Sequence, residues 1–171
     1  MEILVTTAIA AVLAGIGIPS MASMIHSVKL SSAANSFVSG LYVARSEAIK
    51  RNGRVVICKS EDGATCSSGG GWQQGWLVFH DANNNGVRDG GESIILREMG
   101  LATGLRLTGN MNVAKYVSFA PNGATKLVGG GFQAGTLIVC HASASAGEGR
   151  EIILNAVGRA RVQKVEVTGC A

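Results

Sequence analysis

The sequence predicts an α+β protein in which one long N-terminal helix packs on an antiparallel β-sheet or β-sandwich domain. An uncharged apolar run over residues 3–18 leads without a break into a stretch of helical periodicity. After Gly53 the pattern changes to short β-type runs separated by Gly, Asn and Ser. The 24 glycines are scattered between those runs and only two prolines occur, which suits a turn-rich β domain better than a disordered tract.

With 171 residues, 47% of them hydrophobic, the chain can bury one core, and nothing in its length calls for a second folded domain. Three segments follow: a hydrophobic helix over 1–22, its amphipathic continuation over 23–52, and a β-rich globular domain over 53–171.

The run Ile3 to Ile18, ILVTTAIAAVLAGIGI, carries no charge. It is a little short of the roughly 20 residues that span a bilayer. Pro19 then removes a helical hydrogen bond and is expected to kink the helix. A cleavable signal peptide is the alternative, with Ala22 and Ser23 as small residues after the run. Against it, no Lys or Arg precedes the run, and helical periodicity continues through it. Leu30, Ala34, Phe37, Leu41, Ala44 and Ala48 recur at spacings of four and three, one stripe of a helix that ends near Asn52-Gly53.

The expected strands are Val55–Cys58, Trp76–Phe79, Ile94–Leu96, Tyr116–Phe119, Thr136–Val139, Glu151–Leu154 and Val162–Val167, packed on the amphipathic half of the helix. Four cysteines allow three pairings. Cys58 and Cys66 flank one short polar loop, and Cys170, beside the chain end, can pin it to the strand of Cys140; the predicted disulfides are Cys58–Cys66 and Cys140–Cys170. Zinc is excluded by spacing, since there is no C-x-x-C pair and His141 is merely adjacent to Cys140. Paired cysteines imply an oxidising compartment.

The stretch from Met1 to Ser20, with Glu2 opening an apolar helix and Pro19 interrupting it, resembles the start of a mature type IV pilin or type II secretion pseudopilin. The segment Gly71 to Glu92, GWQQGWLVFHDANNNGVRDGGE, is similar to the signature of the GspH/FimT branch, and the turn Phe119-Ala120-Pro121-Asn122-Gly123 and final strands extend the likeness over nearly the whole chain. The resemblance implies a pilin-like fold and a subunit anchored in the inner membrane by one pass. Its C-terminal domain is then periplasmic, and extracellular once assembled with other major and minor pilins or pseudopilins. A basic leader, a processing glycine and an N-methylated terminus are expected upstream of Met1, which then corresponds to an internal position of the mature helix. By the same resemblance Glu2 meets the terminal amine of a neighbouring subunit, since a carboxylate in lipid is costly unless paired. The alternative places Glu2 at the membrane interface.

Asp81, Asn83, Asn85, Gly86 and Glu92 fit the D-x-[DN]-x-[DN]-G-x5-E spacing of a calcium loop. The flanks read as strands rather than the helices of an EF-hand, which favours a hairpin closed by Asx-turns; calcium is a weak candidate and no other cofactor is expected.

Residues 101–171 carry seven Lys/Arg against three Glu, whereas residues 1–100 carry eight basic against eight acidic residues. The surplus points towards a polyanionic partner, but basicity this modest, taken alone, more often serves solubility. Gly158-Arg159-Ala160-Arg161 stands directly before a strand. If extended, Arg159 and Arg161 project from one face about 6.6 Å apart, a separation comparable to successive phosphates of an extended nucleic-acid strand. Two guanidiniums so placed each take a phosphate bidentately, with little base specificity. The element resembles the G-R-x-R of FimT minor pilins, which is associated with DNA binding in natural transformation. Lys164, Arg150, Lys126 and Arg106 are further candidates for that patch. The competing reading is a charged strand edge that blocks aggregation.

No enzyme is expected. His26, His80 and His141 accompany no G-x-S-x-G, H-E-x-x-H or P-loop pattern, and Gly69-Gly70-Gly71 lacks the strand-to-helix context of a phosphate loop. Two functions remain. One is a DNA-binding minor pilin of a type IV pilus; the other is a GspH-like pseudopilin with a structural role in type II secretion.

Overall fold

The computed structural model describes the backbone of residues 2–143 and 146–170, and the side chains of these except residues 2, 8–20 and 22. Helix α1, Glu2–Arg51, is followed by strands β1 (Val55–Lys59), β2 (Gly75–His80), β3 (Ile94–Met99), β4 (Leu105–Gly109), β5 (Tyr116–Phe119), β6 (Gly135–His141), β7 (Gly147–Leu154) and β8 (Ala160–Val167). Pro19 lies inside α1 without ending it. The kink expected there, and the role expected of Glu2, fall outside the described side chains.

The amphipathic stripe decides the packing. Leu30, Ala34, Phe37, Leu41, Ala44 and Ala48 are all buried, and they lie beneath two antiparallel sheets of order β3-β2-β1-β5 and β4-β6-β7-β8. Phe37 sits at the centre, edge-to-face with Trp72 at 4.9 Å and with Trp76 at 5.2 Å between ring centroids. Trp72 anchors its indole N–H on the Val113 carbonyl at 2.9 Å. Beside them Gly40 leaves the helix surface bare: a Cβ there would stand 2.9 Å from the Trp76 Nε1.

Strand β1 is buried at all five positions, so its Val-Val-Ile-Cys run reads as continuously apolar rather than alternating. Its second face, with Leu77 and Phe79 of β2, forms a smaller cluster against Cys66 and Tyr116. Both predicted disulfides are present, with Cα atoms 5.6 Å apart for Cys58–Cys66 and 5.8 Å for Cys140–Cys170.

The helix terminates where expected. Asn52 takes the left-handed conformation (φ 48°), its N–H donates to the Ile49 carbonyl, and the Gly53 N–H donates to that of Ala48. This double bond pattern satisfies two of the last free carbonyls. Lys50 and Arg51 in the last turn complement the negative end of the helix dipole and both pair with Glu47.

Strand β4 is not predicted by the sequence pattern. Leu105-Arg106-Leu107 offers only two apolar positions between glycines, yet both leucines are buried on the inner face of the second sheet.

Candidate nucleic-acid interface

The Gly158-Arg159-Ala160-Arg161 element forms the turn between β7 and β8 and the first residues of β8. Asn155 closes the turn: its carbonyl accepts from the Gly158 N–H (3.0 Å), its side-chain oxygen accepts from the Arg159 N–H (2.9 Å), and its own N–H donates to the Arg159 carbonyl (3.1 Å). Gly158 has φ 78° and is buried, and a Cβ on it would collide with the Gly123 carbonyl oxygen. Glycine is therefore required here for space as well as conformation. The Pro121-Asn122-Gly123 turn props up the residue that precedes Arg159.

Arg159 and Arg161 are both exposed, and among the described residues neither guanidinium makes an ion pair or hydrogen bond. Arg161 pairs across the ladder with Ile153, whose neighbours Ile152 and Leu154 face the core, so Arg161 stands on the outer face of the second sheet. Glu151, an acid on that same face, is engaged by the Gln163 amide at 2.6 Å. Ala160, between the two arginines, turns its carbonyl to the helix, where the Tyr42 hydroxyl donates to it at 3.2 Å.

The remaining basic candidates do not join this corner. Arg150 shares the inner face with Ile152 and Leu154 and is only 4% exposed. Its guanidinium donates to Glu148 (2.6 Å), Ser27 Oγ (2.9 Å) and Ser31 Oγ (3.1 Å), a clamp between α1 and the second sheet. Lys164 lies opposite Arg150, on the other face of β8 from Arg161, and pairs with Glu148 at 3.3 Å. The Arg150 hydrogen bond, then that of Lys164, holds the Glu148 carboxyl below the usual carboxylate range. Arg106 is on β4, the opposite edge strand of the sheet. Lys126 is nearer, because the preceding Thr125 bonds the 155–156 backbone.

The Asp81–Glu92 segment closes on itself. The Asp81 carboxylate accepts from the Asn85 N–H (3.0 Å) and Gly86 N–H (2.9 Å), Asn83 Oδ1 also accepts from the Asn85 N–H (3.1 Å), and Glu92 accepts from the Ala82 N–H (2.8 Å) and Asp89 N–H (3.0 Å). Among the described residues no group of three or more His, Cys, Asp or Glu is arranged to hold a metal ion. His80 borders the same end of the domain, while Nδ1 of His26 and Nε2 of His141 lie 3.2 Å apart and join α1 to β6.

A helix that buries one stripe under two antiparallel sheets and leaves Met21, Met24 and Ile25 bare is the architecture of a pilin-type subunit. A family model described as type II transport protein GspH matches residues 33–158, and the chain belongs to that family. It is thus a type IV minor pilin or GspH-like pseudopilin. Two crystal structures of the type IV minor pilin FimU of Pseudomonas aeruginosa are similar, with TM-scores of 0.56 and 0.58 and 22% identity. Those alignments cover 78% of this chain and 87% and 92% of the FimU chains. The minor pseudopilin EpsH of the Vibrio cholerae type 2 secretion system is similar at a TM-score of 0.55 and 15% identity, over 79% of this chain and 96% of that one. At these identities the likeness is one of fold. No curated protein matches the chain.

Proposed function

We propose that this subunit is a minor pilin of a type IV pilus that binds extracellular DNA for uptake in natural transformation, with Arg159 and Arg161 as the contact residues and Gly158 as the residue that seats them. The observation that carries the reading is a pair of exposed arginines, without an ion pair among the described residues, flanking one residue on a sterically fixed turn. Such a pair suits phosphates without reading bases. Lys164 and Arg150 are left out of the contact set because both are engaged by Glu148.

In this reading α1 holds the subunit in the inner membrane and then in the filament, with Glu2 and Pro19 as assembly residues and the β domain outside. Among the described residues no helix is long and apolar enough to cross a membrane.

The test is a mobility-shift titration of the full chain in detergent with duplex DNA of mixed sequence. Binding is expected to weaken as salt rises, and to weaken at least tenfold in Arg159→Ala plus Arg161→Ala. Equal binding by wild type and double variant removes the site. A second reading, a structural pseudopilin of type II secretion, is favoured by the family match and the EpsH fold; it predicts no DNA binding by the wild type.

A further inference from the structure

We infer that Arg45, on the stem helix, is a third phosphate-binding cation of this corner, so that bound DNA lies across the joint between α1 and the β7–β8 turn. The inference rests on the nucleic-acid reading of Arg159 and Arg161 and adds a residue from the helix to it.

The first observation is an imbalance at Arg45 itself. Four arginines are buried or half-buried: Arg45, Arg54, Arg88 and Arg150. Arg54 donates to Asn84 and Ser118, Arg88 to the carbonyls of Ala64 and Glu92, and Arg150 to Glu148 and two serines. The Nε of Arg45, like that of Arg88, is buried and unsatisfied, but Arg45 alone of the four has no bonded partner for any guanidinium nitrogen among the described residues. A cation partly withdrawn from water without a partner is unfavourable, and a buried donor left unmade keeps the cost of its desolvation. Gly123 covers the Nε, so the terminal nitrogens, also without a bonded partner among the described residues, are the donors left for a phosphate oxygen.

The second observation is position. The Cβ site of Gly123 is 3.0 Å from the Arg45 Nε, while the Gly123 carbonyl abuts Gly158, one residue before Arg159. Arg45 and Arg159 therefore flank the same turn. One helical turn earlier, Tyr42 reaches the Ala160 carbonyl between Arg159 and Arg161. Two independent contacts place this face of α1 against the backbone of the turn and the first residue of β8, while the Arg161 side chain leaves from the outer face of the sheet. The acid nearest in sequence, Glu47, is taken by Lys50 and Arg51. No carboxylate among the described residues pairs with Arg45, Arg159 or Arg161; Glu151 shares the outer face with Arg161 and bonds the Gln163 amide.

The test uses the full chain in detergent and duplex DNA of mixed sequence, with Kd measured across salt concentrations for wild type, Arg45→Met, Arg45→Lys and Arg159→Ala plus Arg161→Ala. Arg45→Met is expected to weaken binding about five- to tenfold and to reduce the slope of log Kd against log salt by about one. Its melting temperature is expected to stay level or rise, because the change removes an unsatisfied buried donor and keeps an apolar stem under Gly123. Arg45→Lys should keep the salt slope while losing part of the affinity, since a point charge replaces a bidentate fork. Wild-type Kd and slope in Arg45→Met, beside lost binding in the Arg159/Arg161 double variant, overturn the inference and leave the nucleic-acid reading standing. Weaker binding with a lower melting temperature in both Arg45 variants assigns Arg45 a structural role and also overturns it. A wild type that does not bind DNA overturns both.

Discussion

The carbonyl oxygen of Gly123 occupies the space that a Cβ on Gly158 would need, and this contact fixes where Arg159 leaves the sheet. Gly158→Ala thus meets a left-handed φ, which disfavours a side chain by about 1–2 kcal/mol, and an overpacked contact of about 1–3 kcal/mol. Urea denaturation should show a loss of about 2–4 kcal/mol. Arg159→Ala, on the exposed side of the same turn, should stay within about 0.5 kcal/mol of wild type.

Gly40→Ala is expected to destabilise the protein, against the gain of about 1 kcal/mol that helix propensity alone would give. The new methyl would stand 2.9 Å from the Trp76 Nε1 and 3.2 Å from the Ile57 Cδ1, and overpacking of this kind costs about 1–3 kcal/mol. Thermal melts followed by near-UV circular dichroism, which reports the Phe37-Trp72-Trp76 cluster, would decide the sign.

The two disulfides should contribute unequally. Cys58–Cys66 closes a separation of 8 residues and Cys140–Cys170 one of 30. Chain-entropy reasoning gives about 2.5 and about 3.5 kcal/mol respectively. Paired Cys→Ser variants compared by chemical denaturation should rank in that order.

Acid should loosen the clamp between α1 and the second sheet. The Glu148 carboxyl is held below the usual range by Arg150 and then Lys164, so its contribution is complete above the unfolded carboxylate pKa of about 4.3 and is lost as pH falls through the lower folded value. Glu47 is lowered by Arg51 and Lys50, and Asp62 by the backbone N–H groups of Thr65 and Ala64, so both shift in the same direction. Comparison with Glu148→Gln isolates the clamp: its melting temperature should fall less than that of wild type between pH 6 and pH 3. Superimposable profiles would show that the clamp adds nothing.

The stem was the most legible part of the chain. Six apolar residues at spacings of four and three can face only one way on a helix, and all six are buried. The strongly apolar strands were legible for the same reason, and both cysteine pairings followed from where the cysteines fall between them. Strand β4 carries too few apolar positions to register. The face of a charged residue on a strand was harder to read. Arg150 alternates with Ile152 and Leu154, a parity that marks it as inward, yet its charge suggested a place at the surface. Tyr42 and Arg45 sit beside the apolar stripe, and no spacing distinguishes them from any solvated residue of the helix. Only the return of Gly123 and Ala160, more than 70 positions later in the chain, gives them neighbours.

Strand β8 is an edge strand, with β7 as its one neighbour in the sheet, and carries Arg161 near its start. A tether pulled from that end would peel such a strand away one backbone pair at a time. The sulfur bridge from Cys170, three residues past the strand, to Cys140 of β6 sets a covalent stop to that unzipping. A strand peeled that far would still be tied to the sheet through β6.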